Sequence, residues 1–131
     1  ALININDYDT SLLGKYNAIW VKSTDMPNLV FDHSEMVQSA RHALCQRAAI
    51  EPVGFNLLPE KFTLPQFQTL YEAIYGEVLD KRNFRKKVLS MNVLEKLNEK
   101  DKLSSKRGAF LYRFNEEKYK ELISKGYDFT I

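Results

Sequence analysis

"TLPQFQTLYEAIYGEVLDKRNFRKKVLSM", residues 63 to 91, is the stretch on which the fold of this chain turns. Thr63 stands where a helix N-cap is expected. Pro65 falls in the first turn, where its missing N–H costs little, and Gln66 closes a capping box. Phe67, Leu70, Tyr71 and Ile74 follow at helical spacing, and Gly76 is placed to end the helix in a left-handed conformation. Only Glu77, Val78 and Leu79 separate it from Asp80, a second N-cap. On a helix turning about 100° per residue, Phe84, Val88 and Met91 share one face and should lock against Phe67, Leu70 and Ile74. Arg82, Asn83, Lys86 and Ser90 take the opposite face, with Arg85 and Lys87 on its flanks. Helix, glycine turn and basic helix in succession outline a helix-turn-helix.

Downstream, Asn92 is suited to end the basic helix. "VLEKL" and "AFLYRF" alternate as strands around the polar, basic loop "NEKDKLSSKRG". Two strands around such a loop, directly after a recognition-type helix, describe a wing. "NEEKYKELISKG" predicts a last helix from Asn115 to Gly126, and "YDFTI" a short edge strand. Upstream, "ALINI" and "YNAIWV" (Tyr16 to Val21) are rich in β-branched and aromatic residues and predict two strands separated by a turn-prone segment. Asp32 and Glu35 have capping-box spacing and open a helix running to about Arg47, with Met36, Val37, Ala40, Ala43 and Leu44 toward a core. Pro52 and Gly54 break it. The expected organisation is therefore two domains, 1–50 and 51–131.

The chain has 131 residues, 44% of them hydrophobic, enough for one compact domain or one domain with part of another. Its net charge is only +2, but the charge is segregated. Lys81 to Arg107 holds ten basic and three acidic residues, against nine basic and fourteen acidic in the remainder. A basic segment in acidic surroundings is the footprint of a polyanion-binding face. Cys45 is the single cysteine, so an intrachain disulfide is excluded and a reducing, cytoplasmic location is expected. No apolar run approaches the roughly 20 residues that span a bilayer, and no membrane partner is expected. Without an initiator Met, and with "ALINI" reading as a strand already under way, the sequence is expected to be part of something longer.

Side chains of Arg, Asn and Lys on the outer face of the basic helix can hydrogen-bond base edges in a major groove. The flanking cations and the wing supply phosphate contacts that set register and give salt-sensitive affinity. The candidate DNA-binding residues are Lys81, Arg82, Asn83, Arg85, Lys86 and Lys87 on the helix, and Lys102, Ser104, Ser105, Lys106 and Arg107 in the wing. A winged helix used for docking another protein is the alternative from a different class. Elsewhere the chemistry is structural. His33, His42 and Cys45 supply too few ligands for a zinc site. Ser104 and Ser105 have no neighbouring base, so they are phosphate hydrogen-bonders rather than nucleophiles. Phe67, Tyr71 and Tyr75 are core residues by their helical spacing, and Trp20 reads as a core position in a strand.

The series "FNLLPEKFTLPQFQTLYEAIYGEVLDKRNFRKKVLSMNVLE", with "RGAFLYRFN" and "GYDFTI", resembles the C-terminal winged-helix half of the Nudix-related transcriptional regulators, over Phe55 to Ile131. "LVFDHSEMVQSARHAL" resembles the closing helix of that family's Nudix domain, and "ALINI" with "YNAIWV" its last strands. The resemblance implies an α+β chain: the end of a Nudix-like sensor domain, then a complete winged helix. It implies sequence-specific binding of operator DNA, as a repressor, under a small-molecule effector that is either an ADP-ribose-like nucleotide or a sugar such as arabinose; a homodimer is expected because helix-turn-helix proteins commonly read paired half-sites. The Nudix box, Gly-x5-Glu-x7-Arg-Glu-x2-Glu-Glu, is absent from this chain, so no enzymatic activity, metal or cofactor is expected of it. The family's Gly-Arg-Pro at the wing is replaced by Lys106-Arg107-Gly108.

Overall fold

The computed structural model describes residues 9–102 and 108–126. Contacts divide the chain into two compact units, residues 1–38 and Ser39 onward. The division falls inside a helix rather than at the Pro52 break.

In the first unit a short helix, α1 (Ser11–Lys15), is followed by irregular chain and the start of α2 (His33–Ile50). The strand expected over Tyr16 to Val21 is not formed. The backbone turns back on α1 instead: the Tyr16 N–H bonds the Leu12 carbonyl at 3.0 Å, the Ala18 N–H bonds Leu13 at 2.8 Å, and Asn17 takes a left-handed φ of 50° between them. β-propensity describes fit to a pleated neighbour, and no neighbouring strand is among the described residues of this unit. Trp20, expected in a strand core, is half exposed. The "ALINI" segment lies outside the described residues.

The second unit carries the core. From α2 it takes the last turns only: Leu44 and Cys45 are half-buried and Ala48 is fully buried, while Met36, Ala40 and Ala43 are exposed, contrary to expectation. The Cys45 thiol donates to the Ile74 carbonyl at 3.1 Å, a structural role. A 3-10 helix at Pro52–Leu57, not foreseen, brings Gly54 against the next helix; a Cβ there would lie 2.5 Å from Cε2 of Tyr71. The Tyr71 hydroxyl donates to the Ala48 carbonyl at 3.2 Å. Burial pushes its phenol above the ordinary tyrosine range.

A short strand, β1 (Phe62–Thr63), was not foreseen; the remaining elements follow the expected order: α3 (Leu64–Tyr75), α4 (Lys81–Ser90), β2 (Leu94–Asp101), β3 (Ala109–Phe114) and α5 (Glu116–Ser124). The capping box at the start of α3 is present: Thr63 N–H donates to Gln66 Oε1 at 2.8 Å and Gln66 N–H to Thr63 Oγ1 at 3.3 Å. Gly76 ends α3 with φ 74°, and Asn92 follows α4 with φ 55°, as their residue types require. Asn115 caps α5 by accepting from the Lys118 N–H at 2.9 Å.

The strands make a three-stranded antiparallel sheet in the order β1-β3-β2. β3 has the expected bounds, but β2 is longer than the sequence implied. The ladder runs on to Lys100 opposite Phe110 and Asp101 opposite Ala109, with an irregularity after Lys96. Asn98 to Asp101, expected in the loop, therefore belong to β2. The core joins Phe62, Leu64, Phe67, Tyr71 and Ile74 to Phe84 and Val88 of α4 and to Val93, Leu94 and Tyr112 of the sheet. The winged-helix, α+β reading holds. The edge strand expected at "YDFTI" lies outside the described residues.

Candidate nucleic-acid interface

α4 is positioned by an anchor on one face and a clamp at its entry. The anchor is Phe84, buried, with its ring 5.6 Å from that of Phe67 and 6.0 Å from that of Tyr71. Val88 repeats it one turn later, fully buried. The clamp was not foreseen. Glu72 Oε1 on α3 accepts the Leu79 N–H at 3.1 Å, and Gln68 Nε2 donates to the Leu79 carbonyl at 2.9 Å. Gln68 also donates to Glu72 Oε1 at 2.9 Å. Both polar groups of the last turn residue before α4 are thus held by side chains of α3. Asp80 then caps α4, accepting from the Asn83 N–H at 2.7 Å. The signal for the clamp is the i, i+4 pair Gln68 and Glu72 on the α3 face that meets the turn.

With Phe84 and Val88 fixed inward, Lys81, Arg82, Asn83, Arg85, Lys86 and Lys87 are all exposed. Among the described residues, none of the five cations has a carboxylate within ion-pair distance. The structure sorts the six into three rows. Lys81 and Arg85 border a cleft of about 200 Å³ shared with Pro65, Gly108 and Phe110. Asn83 and Lys87 border a groove on the other side, beside Tyr75, Glu77 and Leu79 of the turn. Arg82 and Lys86 stand between the rows, at the crest. Asn83 therefore shares the flank of Lys87.

Of the wing candidates, Lys102 is exposed at the end of β2. Ser104, Ser105, Lys106 and Arg107 lie outside the described residues. Sequence reading missed two lysines within the wing strands. The Lys96 ammonium sits 3.7 Å, and that of Lys100 4.7 Å, from the centroid of the Phe110 ring. The signal was Phe110 itself, an aromatic two residues before Tyr112 on the same side of β3, yet close to the wing tip where the core has ended.

No three His, Cys, Asp or Glu side chains converge on a metal-sized site among the described residues. No helix is long and apolar enough to cross a membrane, again among the described residues.

Comparisons with known proteins agree with this geometry. Residues 54–114 match the family described as the NrtR DNA-binding winged helix domain. A curated relative from Acinetobacter baylyi, named ADPR responsive transcriptional repressor NtrR, is 32% identical over 121 residues, covering 91% of this chain and 48% of that protein. Among solved structures, the crystal structure of Shewanella oneidensis NrtR complexed with a 27mer DNA is 31% identical, with a TM-score of 0.60, over 79% of this chain and 44% of that one. A second Shewanella oneidensis NrtR crystal structure has the same identity and coverage and a TM-score of 0.58. This chain spans about half the length of these relatives. Fold, exposed basic helix and relatives together make residues 54–114 an NrtR-like winged-helix domain.

Proposed function

We propose that this chain binds duplex DNA in a sequence-specific manner as the output module of a transcription repressor. The carrying observation is the α4 surface: five cations without carboxylate partners among the described residues, on a helix whose other face is locked into the core. Arg82 and Lys86 at the crest are assigned to base edges, Asn83 to the groove wall beside them. Lys81, Arg85, Lys87 and Lys102, with Ser104, Ser105, Lys106 and Arg107 of the wing loop, are assigned to the backbone. The Shewanella oneidensis NrtR structure with a 27mer DNA supports this reading.

Residues 1–50 are assigned to the end of a Nudix-like sensor domain, and a homodimer reading paired half-sites is the expected assembly. The name of the Acinetobacter relative favours an ADP-ribose-type effector over a sugar. No hydrolytic activity is assigned to this chain, which lacks the glutamates of the Nudix box. A cytoplasmic location follows from the same reading.

The test uses duplexes enriched from a randomised pool by repeated selection on the chain, with a scrambled duplex as control. Fluorescence anisotropy at several salt concentrations should show tight, salt-dependent binding to the selected duplex. Arg82→Ala should cost about 1–3 kcal/mol on the selected duplex and much less on the scrambled one. If no sequence is enriched and Arg82→Ala changes neither affinity while the melt is unaltered, the basic face serves another partner, and protein docking takes its place.

A further inference from the structure

We infer that the cleft between the start of α4 and the wing is a clamp for one phosphate of the DNA backbone. Lys81 and Arg85 of α4 border the cleft, and Lys96 and Lys100 of β2 stand on the ring of Phe110, which lines it. The inference rests on the DNA-binding reading and names residues beyond it.

The two faces of β2 are electrostatically different. On the outer face, Glu95 is neutralised by Arg113 at 2.9 Å and Glu99 by Lys61 at 2.8 Å. On the inner face, the register pairs Lys96 with Tyr112 and Lys100 with Phe110. Tyr112 is buried, so this is the face that continues the core toward the wing tip. An apolar pair would be the ordinary choice there, yet both β2 residues are lysines. Neither has a carboxylate within ion-pair distance among the described residues. Their ammonium groups gather over the one Phe110 ring.

The ring attracts each cation through its quadrupole but leaves the charge uncompensated. It therefore holds two uncompensated charges against one ring, an arrangement that a phosphate would relieve. Phe110 also lines the cleft that Lys81 and Arg85 border, about 200 Å³ in volume, with Gly108 and Ala109 at its edge. Two cations of α4 thus border the space beside the recognition helix, and two of β2 rest on the ring that lines it. The ring limits the motion of the two lysines before DNA arrives, so less side-chain entropy is lost on contact.

The experiment measures affinity of the 131-residue chain for a fluorescent mixed-sequence duplex and for the selected duplex across a salt series. The double variant Lys96→Gln, Lys100→Gln should reduce the steepness of log K against log salt by about 0.9, the loss of one phosphate contact. The ratio of selected to mixed-sequence affinity should stay within about twofold, because a backbone contact carries no base information. Phe110→Leu keeps both charges and loses the ring, so it should weaken both duplexes by about two- to fivefold with little change in slope. Thermal melts confirm that each variant is folded. A double variant whose slope equals the parent's overturns the clamp while leaving Arg82 and the base-reading face standing. A parent that binds duplex without salt dependence overturns both. In an NMR titration, amide shifts of Lys96 and Lys100 that saturate with millimolar inorganic phosphate but ignore duplex would also overturn the backbone assignment.

Discussion

Glu72→Ala removes the acceptor that holds the turn between the two helices. Glu72 Oε1 takes the Leu79 N–H at 3.1 Å and Gln68 Nε2 at 2.9 Å, in a half-buried setting. The Leu79 N–H bond is to a carboxylate, for which about 1.5–3 kcal/mol is the ordinary contribution. Gln68 keeps its second bond, to the Leu79 carbonyl, so the loss is one charge-assisted bond rather than the whole clamp. About 2 kcal/mol of domain stability should disappear, which lowers the melting temperature by about 8–16 °C for a domain of this size. Glu72→Gln retains an acceptor oxygen in the same place and should cost less than about 1 kcal/mol, since only the charge assistance is lost. The assay is a thermal or urea melt of all three proteins, followed by duplex titration at a temperature where each is folded. There the Ala variant should bind the selected duplex more weakly than the Gln variant, because the entry angle of α4 is less constrained. A Glu72→Ala protein that melts with the parent would falsify the claim that this carboxylate fixes the turn.

Phe84→Ala leaves a cavity between Phe67, Tyr71 and Val88 and should cost about 3–5 kcal/mol in a chemical melt; a cost below 1 kcal/mol would mean that α4 is held by something else. Tyr71 gives a pH signature. Burial raises its phenol pKa in the folded state, so above about pH 10, where an unfolded tyrosine ionises, the folded chain holds the extra proton. Stability from this group is intact below that pH and falls as pH rises through it. Tyr71→Phe should flatten the alkaline limb of a stability–pH curve while costing about 1 kcal/mol at neutral pH for the lost bond to the Ala48 carbonyl. An unchanged alkaline limb would show that Tyr71 ionises as freely folded as unfolded.

Where local chemistry and tertiary packing point the same way, the sequence was legible. Thr63, Gly76, Asp80, Asn92 and Asn115 each act at a helix end through their own backbone or side-chain geometry, and each behaves as its residue type predicts. The inward face of α4 was legible for a related reason: Phe84 and Val88 are the only large apolar residues one turn apart in a strongly basic helix. Failure came where a residue's environment is supplied by distant chain. "YNAIWV" has strand propensity but turns back on α1. The apolar residues of α2 have helical spacing, yet Met36, Ala40 and Ala43 are exposed and Val37 and Leu44 only half-buried.

The basic face shows the same division more sharply. Helical periodicity alone predicted which α4 side chains face outward, because 3.6 residues per turn leaves little choice once Phe84 is buried. It did not predict that Asn83 and Lys87 share a groove with the turn, since that depends on where Glu77 and Leu79 are held. In the wing, alternation places Lys96 and Lys100 on one face, but with four residues of β2 spanned by two of β3 it does not say which aromatic each meets. Their partners on β3, Tyr112 and Phe110, become visible only in the ladder. A contact surface assembled from one helix can therefore be read from its period. One assembled across a helix and an irregular ladder needs the cross-strand pairing as well, which is why the crest of α4 could be assigned from sequence and the cleft beside it could not.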